Sequence, residues 1–459
     1  MKTSRRSFLA GLTALPLAAM PLAARAQSRD PLFASADFRG GLDASQHGVL
    51  PDALGADAKA FNRLLREAES RNMPVFLPPG IYRLSDIDLP ASVRISGVPN
   101  ATRLVYSGEG RFMRAVGSKQ VALTDIVLDG ANRWLAGDQP GLMTFQDVED
   151  LTLDGCHILG AQKFAIWAER CGGRIDRNEI TGAGASAIYA VECRDFAIRD
   201  NVIRDCGDGG ILVHRWQKGH DGTMVTGNRI SRILAKSGGT GEFGNGINIF
   251  RADGVQIANN HISDCAFTAI RSNAGSNVQI SANQCLRSGE TAIYSEFGFE
   301  GAMIANNLID GAANGILSVN FNEGGRLAVI SGNLIRNLKL TAPYEQDDAW
   351  FGIGIEAESD ATVIGNVIEG APRWGMLIGW GPYLRDVNVT GNVIRGAAVG
   401  IAATVVDGAG RAAIRQNIFS GIAESAIAGY RWSEKVTDDL STPGAQAFAH
   451  LDIADNNVS

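Results

Sequence analysis

The chain holds little of the material from which metal, redox and nucleophile signatures are built. Six cysteines and six histidines are spread over 459 residues, with no C-x-x-C pair and no zinc-type spacing. No H-E-x-x-H, Walker A or G-x-S-x-G element occurs. This removes the signatures of zinc peptidases, phosphate-loop proteins and α/β-hydrolases. Gly182-Ala183-Gly184 leads into a turn rather than a helix, so it is no phosphate cradle. Basic residues are in deficit, 42 Lys and Arg against 49 Asp and Glu, for a net charge of −7. That balance excludes general binding to nucleic acid or to an anionic membrane surface. After the first 26 residues no run of 18 apolar residues appears, so no later segment spans a membrane as a helix.

What is plentiful is glycine, 55 residues, and an asparagine that returns every 23 to 33 positions in one setting. IDRNEI (Asn178), IRDNVI (Asn201), VTGNRI (Asn228) and IANNHI (Asn260) open the series. ISANQC (Asn283), IANNLI (Asn307), ISGNLI (Asn333), VIGNVI (Asn366), VTGNVI (Asn392) and IRQNIF (Asn417) continue it. Nine or ten residues after most of them stands the aliphatic member of a small-aliphatic pair, such as Ala187-Ile188, Ala269-Ile270, Ala292-Ile293 or Gly400-Ile401. A period of this size marks a solenoid. Short apolar alternations bounded by Gly and Asn mark strands. Each repeat therefore reads as one coil of three short strands, with Asn at a bend it suits through its tolerance of left-handed backbone. Stacked coils let successive Asn side chains hydrogen-bond along the stack. Cys156 takes the Asn place of an earlier coil. Cys171 and Cys193 share a register in neighbouring coils, close enough for either a disulfide or two buried thiols.

The termini read differently. Ser4-Arg5-Arg6-Ser7-Phe8-Leu9, an apolar stretch and Ala24-Arg25-Ala26 form a twin-arginine leader over 1–26, cleaved after Ala26. Four basic residues and no acids leave with it, which moves the net charge from −7 to −11. The expected location is periplasmic or secreted, with the Tat translocase as partner during export and no integral membrane segment after cleavage. Residues 27–92 read as a cap. Asp57 N-caps a helix over about 57–72, with Phe61, Leu64, Leu65 and Ala68 on one face. Strand, turn and strand follow over Val75 to Tyr82. Coils fill 93–459, with insertions near 233–245, 337–351 and 433–450.

These elements carry a resemblance. The repeats, and the V-x-L-P-x-G-x-Y stretch after the helix, resemble the right-handed parallel β-helix of pectate lyases, alginate lyases and mannuronan epimerases over roughly residues 40–459. With the twin-arginine leader, the chain is similar to a family of Tat-translocated β-helix repeat proteins. The resemblance implies an all-β, pectate-lyase-like solenoid with a short amino-terminal capping helix. It also implies a polysaccharide ligand, and many activities share that scaffold.

Alternation within the strand opened by the small-aliphatic pair sorts its side chains. One outward column includes Trp167, Tyr189, Asn248, Arg271, Tyr294 and Glu356. The other includes Glu169, His214, Phe250, Asn273, Glu296 and Glu358. Two long loops bracket the middle coils, so functional residues are expected there. Arg271, Tyr294, Glu296 and His214 are the catalytic candidates. Arg215, Asn248, Arg251, Asn273, Asn320, Glu356 and Glu358 are substrate-binding candidates. An arginine that pairs with a uronate carboxylate acidifies the C5 proton, and a nearby Tyr, His or Glu then moves it. That is lyase or C5-epimerase chemistry on an acidic polysaccharide. Glu296 and Glu358, two coils apart, offer an inverting hydrolase instead. Trp216, Trp350, Trp374, Trp380 and Tyr383 offer platforms for non-catalytic glycan binding or an envelope scaffold. No motif supports a bound cofactor or a metal site. Ca²⁺ is the ion left open, through Glu356, Glu358, Asp347 and Asp348.

Overall fold

The computed structural model describes residues 40–52, 58–137, 139–345 and 351–459. The leader, Asp57, Asp347, Asp348 and Trp350 lie outside the described residues. Three parallel sheets of 16, 15 and 15 strands run the length of the molecule. Each coil contributes one strand to each, and neighbours in a sheet come from successive coils. The coil of Asn283 shows the order: Val278–Ser281 in the first sheet, Gln284–Leu286 in the second, Thr291–Glu296 in the third. Strand stacking begins at Leu42–Asp43, ahead of the cap boundary expected at 92. This is the right-handed parallel β-helix that the repeat implies.

Strand alternation gives each sheet one interior face. Ile247, Ile270, Ile293 and Ile316 stack in the third sheet and are fully buried. The interior is dry and aliphatic, so the bends that connect the strands must satisfy their own polar groups. The asparagines do this. Asn283 accepts at Oδ1 from the Asn260 backbone N–H (3.0 Å) and side-chain Nδ2 (3.0 Å). Its own Nδ2 donates to the Ile257 carbonyl (3.0 Å) and to Asn307 Oδ1 (3.0 Å). The pattern starts where the Cys156 N–H donates to Asn178 and ends at Asn456, a ladder member beyond the Asn417 endpoint of the recognised series.

The left-handed conformation is not the asparagine's. It belongs to the residue before it: Arg177, Asp200, Gly227, Asn259, Ala282, Asn306 and their successors all have φ between 54° and 69°. The turn residue takes the strain, and the Asn side chain is free to point inward. All six cysteines are buried thiols, and Cys171 and Cys193 donate to backbone carbonyls instead of bonding each other.

The two ends are closed by different devices. The helix Ala58–Ser70 buries Phe61, Leu64, Leu65 and Ala68 against the first coils, as its periodicity requires. At the far end, residues 434–440 fold back along the last strand of the third sheet, Ser425–Arg431. Glu434–Lys435 pairs with it antiparallel. Asp439 accepts from the Ala426 N–H (2.7 Å), Thr437 Oγ1 accepts from the Gly429 N–H (2.8 Å), and the Leu440 N–H donates to the Ile427 carbonyl (2.8 Å). A sheet edge that would recruit another strand is thereby occupied. No helix among the described residues is long and apolar enough to cross a membrane.

Ladder position decides the cost of losing an amide. Asn283→Ala strands the Asn260 N–H in a dry interior and should destabilise by about 2–4 kcal/mol, since more than one buried partner is left unpaired. Asn456→Ala, at a half-exposed end where water replaces the amide, should cost about 1 kcal/mol or less. Urea denaturation of the two variants checks the contrast.

Candidate functional site

The third sheet carries the outward columns in the register the alternation requires. Asn248, Arg271, Tyr294, Leu317 and Glu356 follow one another on successive coils, with Phe250, Asn273 and Glu296 in the parallel column. Outward does not mean solvated here, because the loops fold over the sheet. The 233–245 loop crosses Arg271 at Gly241, whose φ of 136° and missing side chain allow it: a Cβ there would overlap the guanidinium Nη1. The 337–351 loop sets Tyr344 on Phe267, stacked at 6.0 Å, and its hydroxyl donates to Glu290 at 2.6 Å.

Beneath this cover Arg271 is committed. Its Nε and Nη2 donate to the two oxygens of Glu296 at 2.6 and 3.0 Å, and Asn273 adds a third donor at 2.9 Å. Glu296 is 2% exposed. The expected free guanidinium facing a ligand is thus a buried ion pair, with Nη1 alone unpaired. The guanidinium also lies 5.3 Å from the centre of the Tyr294 ring. Burial, then the charges of Glu296, Glu290 and Glu356, hold the Tyr294 phenol well above its ordinary pKa. It stays protonated, able to donate a hydrogen bond, and offers no phenolate to act as base.

The other upstream candidates are also engaged. His214 packs between Tyr189 (5.2 Å) and Phe250 (5.6 Å), and burial pulls its pKa down to about 4. It is a neutral ring two coils from Arg271. Arg215 pairs with Glu192 at 2.6 Å. Arg251 donates to the Trp216 carbonyl at 2.9 Å and covers Phe250. Asn248 is buried beside Arg271 with its Oδ1 unpaired. None of these four lines the groove described next.

That groove starts at Tyr294 and runs toward the carboxyl terminus. One cavity of about 230 Å³ is lined by Glu290, Thr291, Tyr294, Asn314, Leu317, Asn320, Tyr344 and Phe351. A second, of about 260 Å³, shares Tyr294, Leu317 and Asn320 with it and adds Val319, Asn322, Glu356, Glu358, Trp380, Tyr383 and Trp432. Trp432 stands edge-on to Trp380 (5.6 Å) and near Tyr383 (6.4 Å). Of the other platform candidates, Trp374 is buried in an apolar cluster that also holds the groove residues Leu317 and Val319, and Trp216 is exposed and lines neither cavity.

Glu356 and Glu358 are the chemically distinctive pair. They sit two residues apart on Ile353–Ala357 and its extension, 4% and 6% exposed. Glu358 accepts the Phe321 N–H at 2.6 Å, from a short 3-10 turn that Asn320 opens in left-handed conformation. Glu356 has no hydrogen-bond or ion-pair partner among the described residues. Burial, with the neighbouring Glu358 charge, raises it well above the carboxylate range. Burial raises Glu358 as well, but backbone donors oppose that and leave it at about 7. One carboxyl thus keeps its proton at neutral pH while the other half-releases it.

Glu290, Asn322 and Trp432 belong to the site and were not among the sequence candidates. Glu290 lies just before the small-aliphatic pair, where the outward alternation had not yet been counted. Trp432 comes from the end of the last third-sheet strand. Among the described residues no three His, Cys, Asp or Glu side chains gather into a metal-holding group.

Parallel stacked sheets, a buried amide ladder and a walled groove outside one sheet define a β-solenoid with one grooved face. A family model described as "right handed beta helix region" matches residues 141–323 and 216–383, together more than half of the chain. The chain belongs to that family. No curated protein matches it. Among solved structures it is similar to the N-terminal fragment of gene product 12 of bacteriophage phi29, at 14% identity and a TM-score of 0.49, covering 84% of this chain and 68% of that one. It is similar also to a surface adhesin of Streptococcus pneumoniae, at 12% identity and a TM-score of 0.46, covering 84% and 93%. The A-module of a mannuronan C-5 epimerase of Azotobacter vinelandii shows 15% identity and a TM-score of 0.40, covering 91% and 99%. These likenesses carry nothing about activity.

Two stability measurements follow from the site. Arg271→Ala leaves Glu296 buried and unpaired and should cost about 3–5 kcal/mol, whereas Arg271→Met with Glu296→Leu should recover most of it. Thermal melts of both variants check this. The folded pKa of Glu358 lies above its unfolded value, so its contribution is fully present below about pH 4.5 and is lost as pH rises through about 7. Glu358→Gln should flatten the stability–pH curve across that window.

Proposed function

We propose that the groove binds a sugar chain and hydrolyses a glycosidic bond by general acid–base catalysis. The observation that carries this is the Glu356–Glu358 pair, buried beneath aromatic walls and split in proton affinity. Two carboxyls whose surroundings push their pKa values apart take opposite roles. Glu356 keeps its proton and suits the acid that protonates the leaving oxygen. Glu358, stabilised as an anion by the Phe321 N–H, suits the base that takes a proton from water as that water attacks the anomeric carbon. Two residues along a strand place their Cα atoms about 6.6 Å apart. Inverting glycosidases hold their carboxyls about 6.5–9.5 Å apart to admit that water. Trp380, Tyr383 and Trp432 provide apolar faces for sugar rings.

Charge favours a neutral sugar over a uronate. Glu290 and Glu358 line the groove, and Arg271, which lines neither cavity, is already bound to Glu296. A second reading, lyase or epimerase action on an acidic polysaccharide at Arg271 and Tyr294, draws its support from the unpaired Nη1.

A panel of neutral and uronate polysaccharides separates the readings. New reducing ends from a neutral glycan are expected, with Glu356→Gln and Glu358→Gln each lowering turnover by about 10²–10⁴-fold. kcat/KM should fall as pH drops below about 7, where Glu358 takes up a proton. Unsaturated uronate product that survives Glu358→Gln sinks the hydrolase reading in favour of the lyase. Binding without turnover on any polymer makes the groove a glycan-binding site.

A further inference from the structure

The outer face of the second sheet, remote from the groove, carries a pattern no ligand site explains. In its first outward position the exposed Val202 is followed by three polar residues in line, Arg229, His261 and Gln284. From the next coil onward the column is aliphatic: Leu308, Leu334, Val367, Val393 and Ile418. Leu334, Val367 and Ile418 are 40%, 42% and 47% exposed. A single exposed aliphatic residue needs no account. Five in register make a stripe about 19 Å long at the inter-strand spacing.

Beside the stripe, two residues further along each strand, runs a charged column. It reads Asp310, Arg336, Glu369, Arg395 on consecutive coils. The signs alternate: minus, plus, minus, plus. Within the chain Arg336 pairs with Asp310 at 2.7 Å, while Arg395 stands 3.9 Å from Glu369.

We infer that two copies of the chain associate through this face, about a two-fold axis parallel to the strands and midway between the coils of Leu334 and Val367. Such an axis keeps each column facing its own equivalent and reverses the coil order. Four of the five aliphatic residues meet one another, Leu334 opposite Val367 and Leu308 opposite Val393, while Ile418 falls opposite Gln284. The charged column, reversed, presents plus to minus at every step, with Asp310 opposite Arg395 and Arg336 opposite Glu369. An alternating run of even length is self-complementary in this antiparallel arrangement, as an isologous interface requires. Parallel face-to-face packing in the same register sets like charges opposite each other, which is costly. The face is narrow, so the contact belongs to the class below about 1,200 Å², reversible and weak.

Sedimentation velocity of the mature chain over low to high micromolar concentration tests this. A reversible monomer–dimer equilibrium is expected. Arg336→Glu sets Glu against Glu369 twice and should weaken association at least tenfold. Adding Glu369→Arg to it recreates the complementary order and should restore the dimer. Leu334→Glu should abolish it. All three positions are on the surface, and unchanged thermal melts confirm that folding is intact. A wild type that stays monomeric overturns the inference, as does a trimer, or a dimer indifferent to Arg336→Glu or not restored by the charge swap.

Discussion

The amide ladder is the constraint on which everything else depends. Each ladder asparagine binds the backbone N–H and side chain of one neighbouring coil and a carbonyl near the bend, so it senses coil spacing in two ways at once. A slip of one residue in any coil would break these contacts and turn a row of isoleucines out to water. Hydrophobic burial supplies most of the stabilising free energy, but it is tolerant of register. The amides are not. Division of labour at the bend makes this possible: the preceding residue adopts the left-handed backbone, and the asparagine keeps its side chain for bonding.

Fixed register turns the outside of the molecule into straight columns, and loops then decide what each column experiences. Over the third sheet the 233–245 and 337–351 loops and the segment bearing Trp432 remove water from part of the outer face. Charged groups placed there must either pair or change protonation. Arg271 and Glu296 took the first course. Glu356 and Glu358 took the second. The same sheet exterior therefore holds a structural ion pair and a carboxyl pair of raised proton affinity a few coils apart, and the difference lies in the partners available to each.

Much of this was legible in the residues. Periodicity placed the ladder, the interior isoleucines and both outward columns, because those follow from strand geometry alone. The capping helix was legible from Phe61, Leu64, Leu65 and Ala68. Alternation, however, sorts side chains relative to the solenoid and not relative to solvent. It could not show that Arg271 is covered or that it spends its donors on Glu296, since both depend on where Gly241 and Tyr344 fold. Trp432 was illegible for a related reason: it joins Trp380 only because coils stack. Asn456 stands in the same setting, Ile453 to Val458, and was legible by the same rule. The left-handed position was misplaced by one because asparagine's own tolerance of that conformation offered a ready explanation at the wrong residue.

A solenoid couples each coil only to its neighbours, so its melting is a one-dimensional problem in which ends fray before the middle. Here the carboxyl-terminal end is the looser one: its last ladder member is half-exposed, and a folded-back segment, not a helix, closes it. The aromatic wall of the groove is drawn from that end, through Trp432, while the carboxyls stand on coils deeper in the stack. Heat or denaturant thus strips Trp432 from the groove wall while most of the strand stacking persists. Activity and structure need not be lost at one temperature, and the gap between the two reports the cohesion of the final coils.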